Sequence, residues 1–307
     1  MRASFAFVLV VAGCGSSSSP EPDAASLRPG VEDSSEVYKG TPSANETAFW
    51  TAVRDADDAG RAAAVAQLQA DVTADPSNGY SDFLIGASHF MPPRALLAAL
   101  AAGQPIPPGG GGPDPAAAPF LANGLAHLTD PFYLGFDGGL LASLQLASGD
   151  PAGAQTMQTA IANNHAATSF IAVLFDLQMQ NTAKALDDMY ALFEFCNGAP
   201  LARDGSAAAA YAAKMVAGSL RHRECYSGFF APHGSPGELF IMADLHALNG
   251  QPAAATAYYN AIASAPVAGA WPLAPLLSRR LAGTQAADLG TTSLVASGCG
   301  TCHTSSL

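Results

Sequence analysis

The sequence predicts an all-α protein: an irregular α-solenoid flanked by a disordered amino-terminal tether and a short carboxy-terminal tail. Three observations carry that reading. Hydrophobic residues make up 49% of the 307 positions and charged ones 12%, and alanine, which packs closely and costs least in a helix, dominates the apolar set. Apolar positions recur at three and four residues, as Val65, Leu68 and Val72 do, and no convincing stretch alternates with a period of two. Helix-breaking signals punctuate the chain at Asp75-Pro76, Thr129-Asp130-Pro131 and Pro266.

The folded part begins near Ser43. Ser43-x-x-Glu46 reads as a capping box, the serine accepting from a first-turn amide and the glutamate reaching back. A helix through Phe49, Trp50 and Val53 follows, and Asp57 and Asp58 precede a second helix from Ala59 to Ala74. Further helices are expected at Ser81 to Ser88, Arg94 to Ala102, Phe120 to Leu128, Phe132 to Ala147, Thr168 to Met179, Thr182 to Cys196, Ala207 to Arg221 and Glu238 to Leu248. Gln104 to Pro119, with Gly109 to Gly112 set among prolines, reads as a mobile loop. The helical domain therefore covers residues 43–283, the loop 104–119, and the tail 284–307.

The hairpin made by the first two helices prompts a search for repeats. Ala254, Tyr258, Ala261 and Pro266 fall at the spacing of the second half of a tetratricopeptide repeat, which this stretch resembles. Small residues at such places let two helices approach, the aromatic fills the groove between hairpins and the proline ends the helix. Gly153, Met157 and Ala160 repeat the pattern. Ala64, Leu68 and Pro76 echo it again, with Asp71 in place of the expected small residue. The first halves follow the pattern less closely, with Glu238, Ile241, Met242 and Leu245 where Trp, Leu, Gly and Tyr are typical. The resemblance implies an irregular tetratricopeptide-like solenoid that binds a partner.

At the amino terminus, Met1-Arg2 precedes an apolar run from Ala3 to Val11 that is too short to span a bilayer as a permanent helix. It ends in Val11-Ala12-Gly13-Cys14, small residues before a cysteine, and resembles a bacterial lipoprotein signal. The resemblance implies that residues 1–13 are removed and that Cys14 is acylated, which holds the chain in the cell envelope. The other reading is an ordinary secretory peptide with an incidental cysteine. The residues after Cys14 lack the aspartate of an inner-membrane retention signal, so the outer membrane is the expected address. Residues 14–42, rich in Ser, Pro, Asp and Glu, read as a disordered tether.

An exported chain meets an oxidising compartment. Cys196 and Cys225, each near a helix end, are expected to pair in a disulfide. Two separately buried thiols are the other reading. That pairing leaves Cys299 and Cys302 as a couple in Cys299-x-x-Cys302-His303, the attachment pattern of a c-type haem. Two thiols at this spacing can form thioethers to the two vinyl groups of a haem edge, and the adjoining imidazole can take the proximal iron position. The pattern resembles that of cytochromes c, and the resemblance ends with these five residues. It implies one covalent haem c, with Cys299 and Cys302 holding the porphyrin and His303 the iron. A plain disulfide, or another metal or redox use of the couple, are the alternatives. Among the other histidines, His89, His222, His233 and His246 read as surface or internally satisfied side chains.

A net charge of −12 with no basic cluster argues against nucleic acid and against anionic lipid as partners. No phosphate loop, His-Glu-x-x-His or Gly-x-Ser-x-Gly occurs, so no enzyme active site is expected. Asp55, Asp57, Asp58, Asp187 and Asp188 read as helix caps or solvated faces. The function expected is electron transfer coupled to docking of an envelope or redox partner. The alternative is a non-redox scaffold lipoprotein whose tail cysteines form a disulfide.

Overall fold

A computed structural model of the chain describes residues 43–104, 114–129, 131–150, 152–153, 155–156, 172–173, 176–177, 179–217, 235–266 and 268–283. Among these residues the fold is all-helical, with eleven α-helices, two short 3-10 turns and no strand. No described helix is long and apolar enough to cross a membrane.

Helices α1 (Ala44–Arg54) and α2 (Asp58–Ala74) form the first hairpin. The Ser43 hydroxyl accepts from the Glu46 amide at 3.1 Å, so the serine half of the cap forms. The glutamate half departs from expectation: the Glu46 carboxyl turns inward, is fully buried and accepts from the Tyr80 hydroxyl. Burial beside a tyrosine outcompetes a reach back to an exposed amide. Asp57 caps α2 through the Gly60 amide at 3.0 Å. Asp71, where a small residue was expected, accepts from the Asn45 amide at 2.7 Å and so clips α1 to α2.

Helix α3 (Gly79–Ser88) lies close against α5 (Ala118–His127). The approach needs two glycines. A Cβ at Gly79 would stand 2.9 Å from the Leu128 amide nitrogen, and one at Gly86 would stand 2.5 Å from Leu121 Cδ2. The loop expected over 104–119 is shorter at its far end. Asp114 caps a 3-10 turn at Pro115–Ala117, and α5 starts at Ala118, ahead of the expected Phe120. Pro115 and Pro119 sit in first turns, where no amide proton is needed and a fixed φ helps. They therefore start helix here instead of excluding it. Helix α6 (Pro131–Ala147) completes this half. Its core comprises Phe49, Trp50, Leu68, Phe83, Leu84, Ile85, Leu121 and Tyr133 together with Leu140 and Leu144.

The second half holds α7 (Thr182–Asn197), α8 (Ala208–Val216), α9 (Ser235–Leu248), α10 (Pro252–Ala263) and α11 (Ala274–Leu281). Its core also takes in α4 (Arg94–Ala101), through Leu96, Leu97 and Leu100. Each buried leucine contributes about 2 kcal/mol to that docking. Helix α4 thus leaves its sequence neighbours and packs on α11, which follows it by some 170 residues. Arg279 of α11 reaches the end of α4, where its guanidinium covers Gly103, whose φ is +69°. A cation there complements the negative pole of the helix. A strictly linear stack of repeats has no such contact.

The repeat-like hairpin α9–α10 is the most extensively packed pair in this half. Ala254, Tyr258 and Ala261 are all buried, as are Ile241, Met242 and Leu245 opposite. At the second repeat-like stretch, a Cβ at Gly153 would stand 2.7 Å from Leu146 Cγ, which is why a small residue sits there. Met157 and Ala160 lie outside the described residues. Helix α8 closes at Val216, ahead of the expected Arg221. Helix α9 begins at Ser235, three residues before Glu238, because Pro236 suits a first turn. Helix α11, preceded by Trp271-Pro272 and holding Pro275 in its first turn, went unforeseen.

Candidate functional site

Of the residues singled out in sequence for chemistry, Cys14, Cys225, Cys299, Cys302 and His303 lie outside the described residues. Cys196 is described. It occupies the last turn of α7, is 1% exposed and is disulfide-bonded. The apolar face that carries it (Met189, Leu192, Phe193 and Phe195) is buried as the helical spacing requires. Among the described residues, no three His, Cys, Asp or Glu side chains converge as a metal centre.

What the fold does assemble is a buried polar layer in the first half, drawn from four helices. Glu46 of α1 meets Tyr80 of α3, and the Tyr80 hydroxyl lies 3.2 Å from that of Tyr133 on α6. The two rings meet edge to face at 4.6 Å. Burial pushes the Glu46 carboxyl above its ordinary range, and the Tyr80 hydroxyl only partly offsets it. One turn along α6, Asp137 is fully buried; its oxygens make no hydrogen bond of normal geometry, and the nearby Leu125 amide only partly favours the ionised form. Burial, then the neighbouring charge of Asp82, pushes Asp137 up to about 9. Asp82 of α3 is 2% exposed and accepts from the Asn123 amide of α5. Burial raises its carboxyl too. A Cβ at Gly124 would stand 2.7 Å from Asp137 Oδ2, so any larger residue here would displace that carboxylate.

The second half holds two further buried polar constellations. The Tyr190 hydroxyl on α7 lies 2.9 Å from His246 Nε2 on α9, and His246 Nδ1 lies 2.5 Å from Gln251 Oε1. An amide oxygen can only accept, so Nδ1 carries the proton and Nε2 accepts from Tyr190. Burial lowers the His246 pKa and keeps the ring neutral. Tyr258 stacks on the imidazole at 5.4 Å, and the Arg203 guanidinium lies 4.5 Å over the Tyr190 ring. His246 is therefore the internally satisfied histidine that the sequence suggests, with both nitrogens engaged. Below it, Asp244 of α9 binds Arg280 of α11 and accepts from Tyr259 of α10. This group ties three helices together and offers no open face for a substrate.

The remaining charged positions behave mostly as expected. Asp55 pairs with Arg54, Asp58 with Arg61 and Asp187 with Arg203; the carboxylates are exposed or half-exposed, while Arg61 is largely covered. Asp188 is the exception: burial, followed by a hydrogen bond with Asp176, raises it to about 6 even though Lys184 sits at 3.0 Å. His89 pairs with Asp114 at 2.8 Å. His222 and His233 lie outside the described residues.

No protein-family model matches the chain, and neither a curated protein nor a solved structure is similar to it. The buried carboxyls are the functional candidates that the sequence reading missed. One signal was present: Asp137 is the only charged residue of α6, set in Phe132-Tyr-Leu-Gly-Phe136-Asp-Gly-Gly-Leu-Leu141. An acid inside so apolar a helix has to be neutralised by something.

Proposed function

We propose that this chain is a lipid-anchored envelope protein, acylated at Cys14 and held on the outer membrane. Its irregular helical-repeat body docks a redox or other envelope partner, and its tail carries one covalent haem c for electron transfer. The observation that carries the reading is Cys299-x-x-Cys302-His303, which supplies two thiols and an imidazole within five residues. When bound, haem c supplies reversible one-electron chemistry. Cys299 and Cys302 would hold it as thioethers and His303 would ligate the iron. The donor set fits the group without help from the body.

Two features of the described residues support the reading. Cys196 is spent in a disulfide, in keeping with an oxidising compartment, where c-type haem is attached. The helices and the lack of a strand among the described residues argue against a thioredoxin-like dithiol, which needs a strand-helix-strand unit. The acidic surface would favour a basic partner. No catalytic role is proposed.

The deciding experiment expresses the full chain with a haem-maturation system and stains a denaturing gel for haem, alongside Cys302→Ala. A stained wild-type band with a Soret absorbance, lost in the variant, is expected. An unstained wild-type band overturns the haem reading and leaves the scaffold with a tail disulfide, which a free-thiol count then identifies.

A further inference from the structure

Asp176 and Asp188 meet one lysine across the turn that enters α7. Lys184 Nζ lies 3.5 Å from Asp176 Oδ2 and 3.0 Å from Asp188 Oδ2. Ion-pair distance to a common nitrogen makes the two carboxyls neighbours by geometry. They are also the more sheltered members, with side chains 9% and 21% exposed against 44% for the lysine. Water therefore screens the ammonium more than it screens the repulsion between the acids. Two acids and one half-exposed base leave an excess negative charge, which a single proton held between the carboxyls removes. Burial and then the hydrogen bond with Asp176 push Asp188 up to about 6, in the same sense. Among the described residues, the neighbouring ionisable groups are engaged elsewhere. On α7, Asp187 pairs with Arg203 and Glu194 accepts from the Leu201 amide. On α9, packed against α7, Asp244 binds Arg280, His246 binds Tyr190 and Gln251, and the charge of Glu238 acts on Tyr211.

Asp176 also holds the turn through its backbone. The Asn181 amide donates to the Asp176 carbonyl at 2.8 Å and the Gln180 amide to the Leu177 carbonyl at 3.1 Å, with Gln180 at φ +58°. This is a Schellman-type stop with glutamine where glycine is usual, so the left-handed residue carries strain that neighbouring contacts must hold. Asn181 then caps α7 through the Lys184 amide at 3.3 Å. Both ends of the turn are thus tied to residues of the cluster. We propose that Asp176, Lys184 and Asp188 form a proton-operated clasp across this turn, closed while the two carboxyls share one proton and loosened when both are ionised. In the closed state the Asp188 hydroxyl donates to the Asp176 carboxylate, which keeps its ion pair with Lys184. In the open state both carboxylates compete for the same ammonium. A carboxyl whose folded pKa lies above its unfolded value stabilises the fold fully below that unfolded value, and the gain is lost as pH rises through the folded one. The clasp therefore tightens on acidification through about pH 6 and releases above it. It is independent of the tail and of any haem.

The full chain, carrying carbon-13 at its aspartate carboxyls, is titrated by NMR from about pH 4 to about pH 8. Hydrogen exchange at the Asn181 amide, corrected for its intrinsic rate, reports opening of the turn. The Asp176 and Asp188 signals are expected to shift together with a midpoint near pH 6. Asn181 protection should be about threefold or more greater at about pH 5 than at about pH 7.5. Lys184→Met removes the charge that favours ionisation and should raise the midpoint. Asp188→Asn, whose amide donates to Asp176 at every pH, should leave Asn181 equally protected under both conditions. Titration of both carboxyls below about pH 4.5 overturns the clasp. So does wild-type Asn181 protection that ignores pH, or a pH dependence that survives in Asp188→Asn.

Discussion

Arg280 meets Asp244 in a two-pronged ion pair, Nε to Oδ1 at 3.0 Å and Nη2 to Oδ2 at 3.1 Å, with both side chains fully buried. Phe240 lies 5.7 Å beneath the guanidinium, and Tyr259 donates to the same carboxylate. A buried pair of this kind contributes little net stability against an apolar replacement, but losing one member strands the other charge. Arg280→Ala is accordingly expected to destabilise by about 3–5 kcal/mol. Arg280→Met with Asp244→Leu should recover much of that loss. Urea denaturation of the two variants checks the prediction, and equal destabilisation in both would contradict it.

Asp137 predicts a pH dependence of stability. Its folded pKa, pushed up to about 9, lies far above its unfolded value of roughly 3.9. The neutral acid is the form the core prefers, so its contribution is complete below the unfolded pKa and is lost as pH rises through the folded one. Stability of the wild type should fall between pH 5 and pH 9, by a few kcal/mol as an order of magnitude. Asp137→Asn should flatten that fall. Thermal melts across this range measure it.

The Tyr190–His246 bond makes a third, opposite-signed prediction. His246 has its pKa lowered by burial, so the folded state favours the neutral ring. That preference is intact above the unfolded pKa of roughly 6.5 and is lost as pH falls below it. Nitrogen-detected NMR should find His246 neutral, protonated at Nδ1, at a pH where exposed histidines are half-charged. Tyr190→Phe leaves the Nε2 acceptor buried without its donor and should cost about 1–3 kcal/mol.

Cys196 links the folded body to the cysteine accounting of the tail. A non-reducing peptide map is expected to join Cys196 to Cys225, as the proposed function requires. A link to Cys299 or Cys302 would consume a tail thiol and exclude two thioethers. Cys196→Ser should lower stability by about 2–4 kcal/mol under oxidising conditions and by much less in reductant.

Much of the helical content was legible in one dimension because local signals fix it. Asp57 and Ser43 cap the helices they were expected to cap. The small-aromatic-small spacing of Ala254, Tyr258 and Ala261 marks a helix face that is in fact buried. Errors arose where a residue's role depends on a distant neighbour. Glu46 fits a capping box by spacing, yet Tyr80, 34 residues on, draws its carboxyl into the core. Pro115 and Pro119 read as loop residues until their place in a first turn is known. The polar layer was hidden for the same reason, since Asp82, Asn123 and Asp137 come from three helices and share no local pattern.

By itself, the sequence determined the all-helical class and the helix faces, because periodicity and caps are local. Only the tertiary structure decided that α4 crosses to pack on α11, and that Arg280 finds Asp244. It also buried the carboxyl groups of Asp82 and Asp137 inside the helical core. Such pairings are set by the burial of surfaces far apart in the chain, where the gain is collective and leaves no short-range trace.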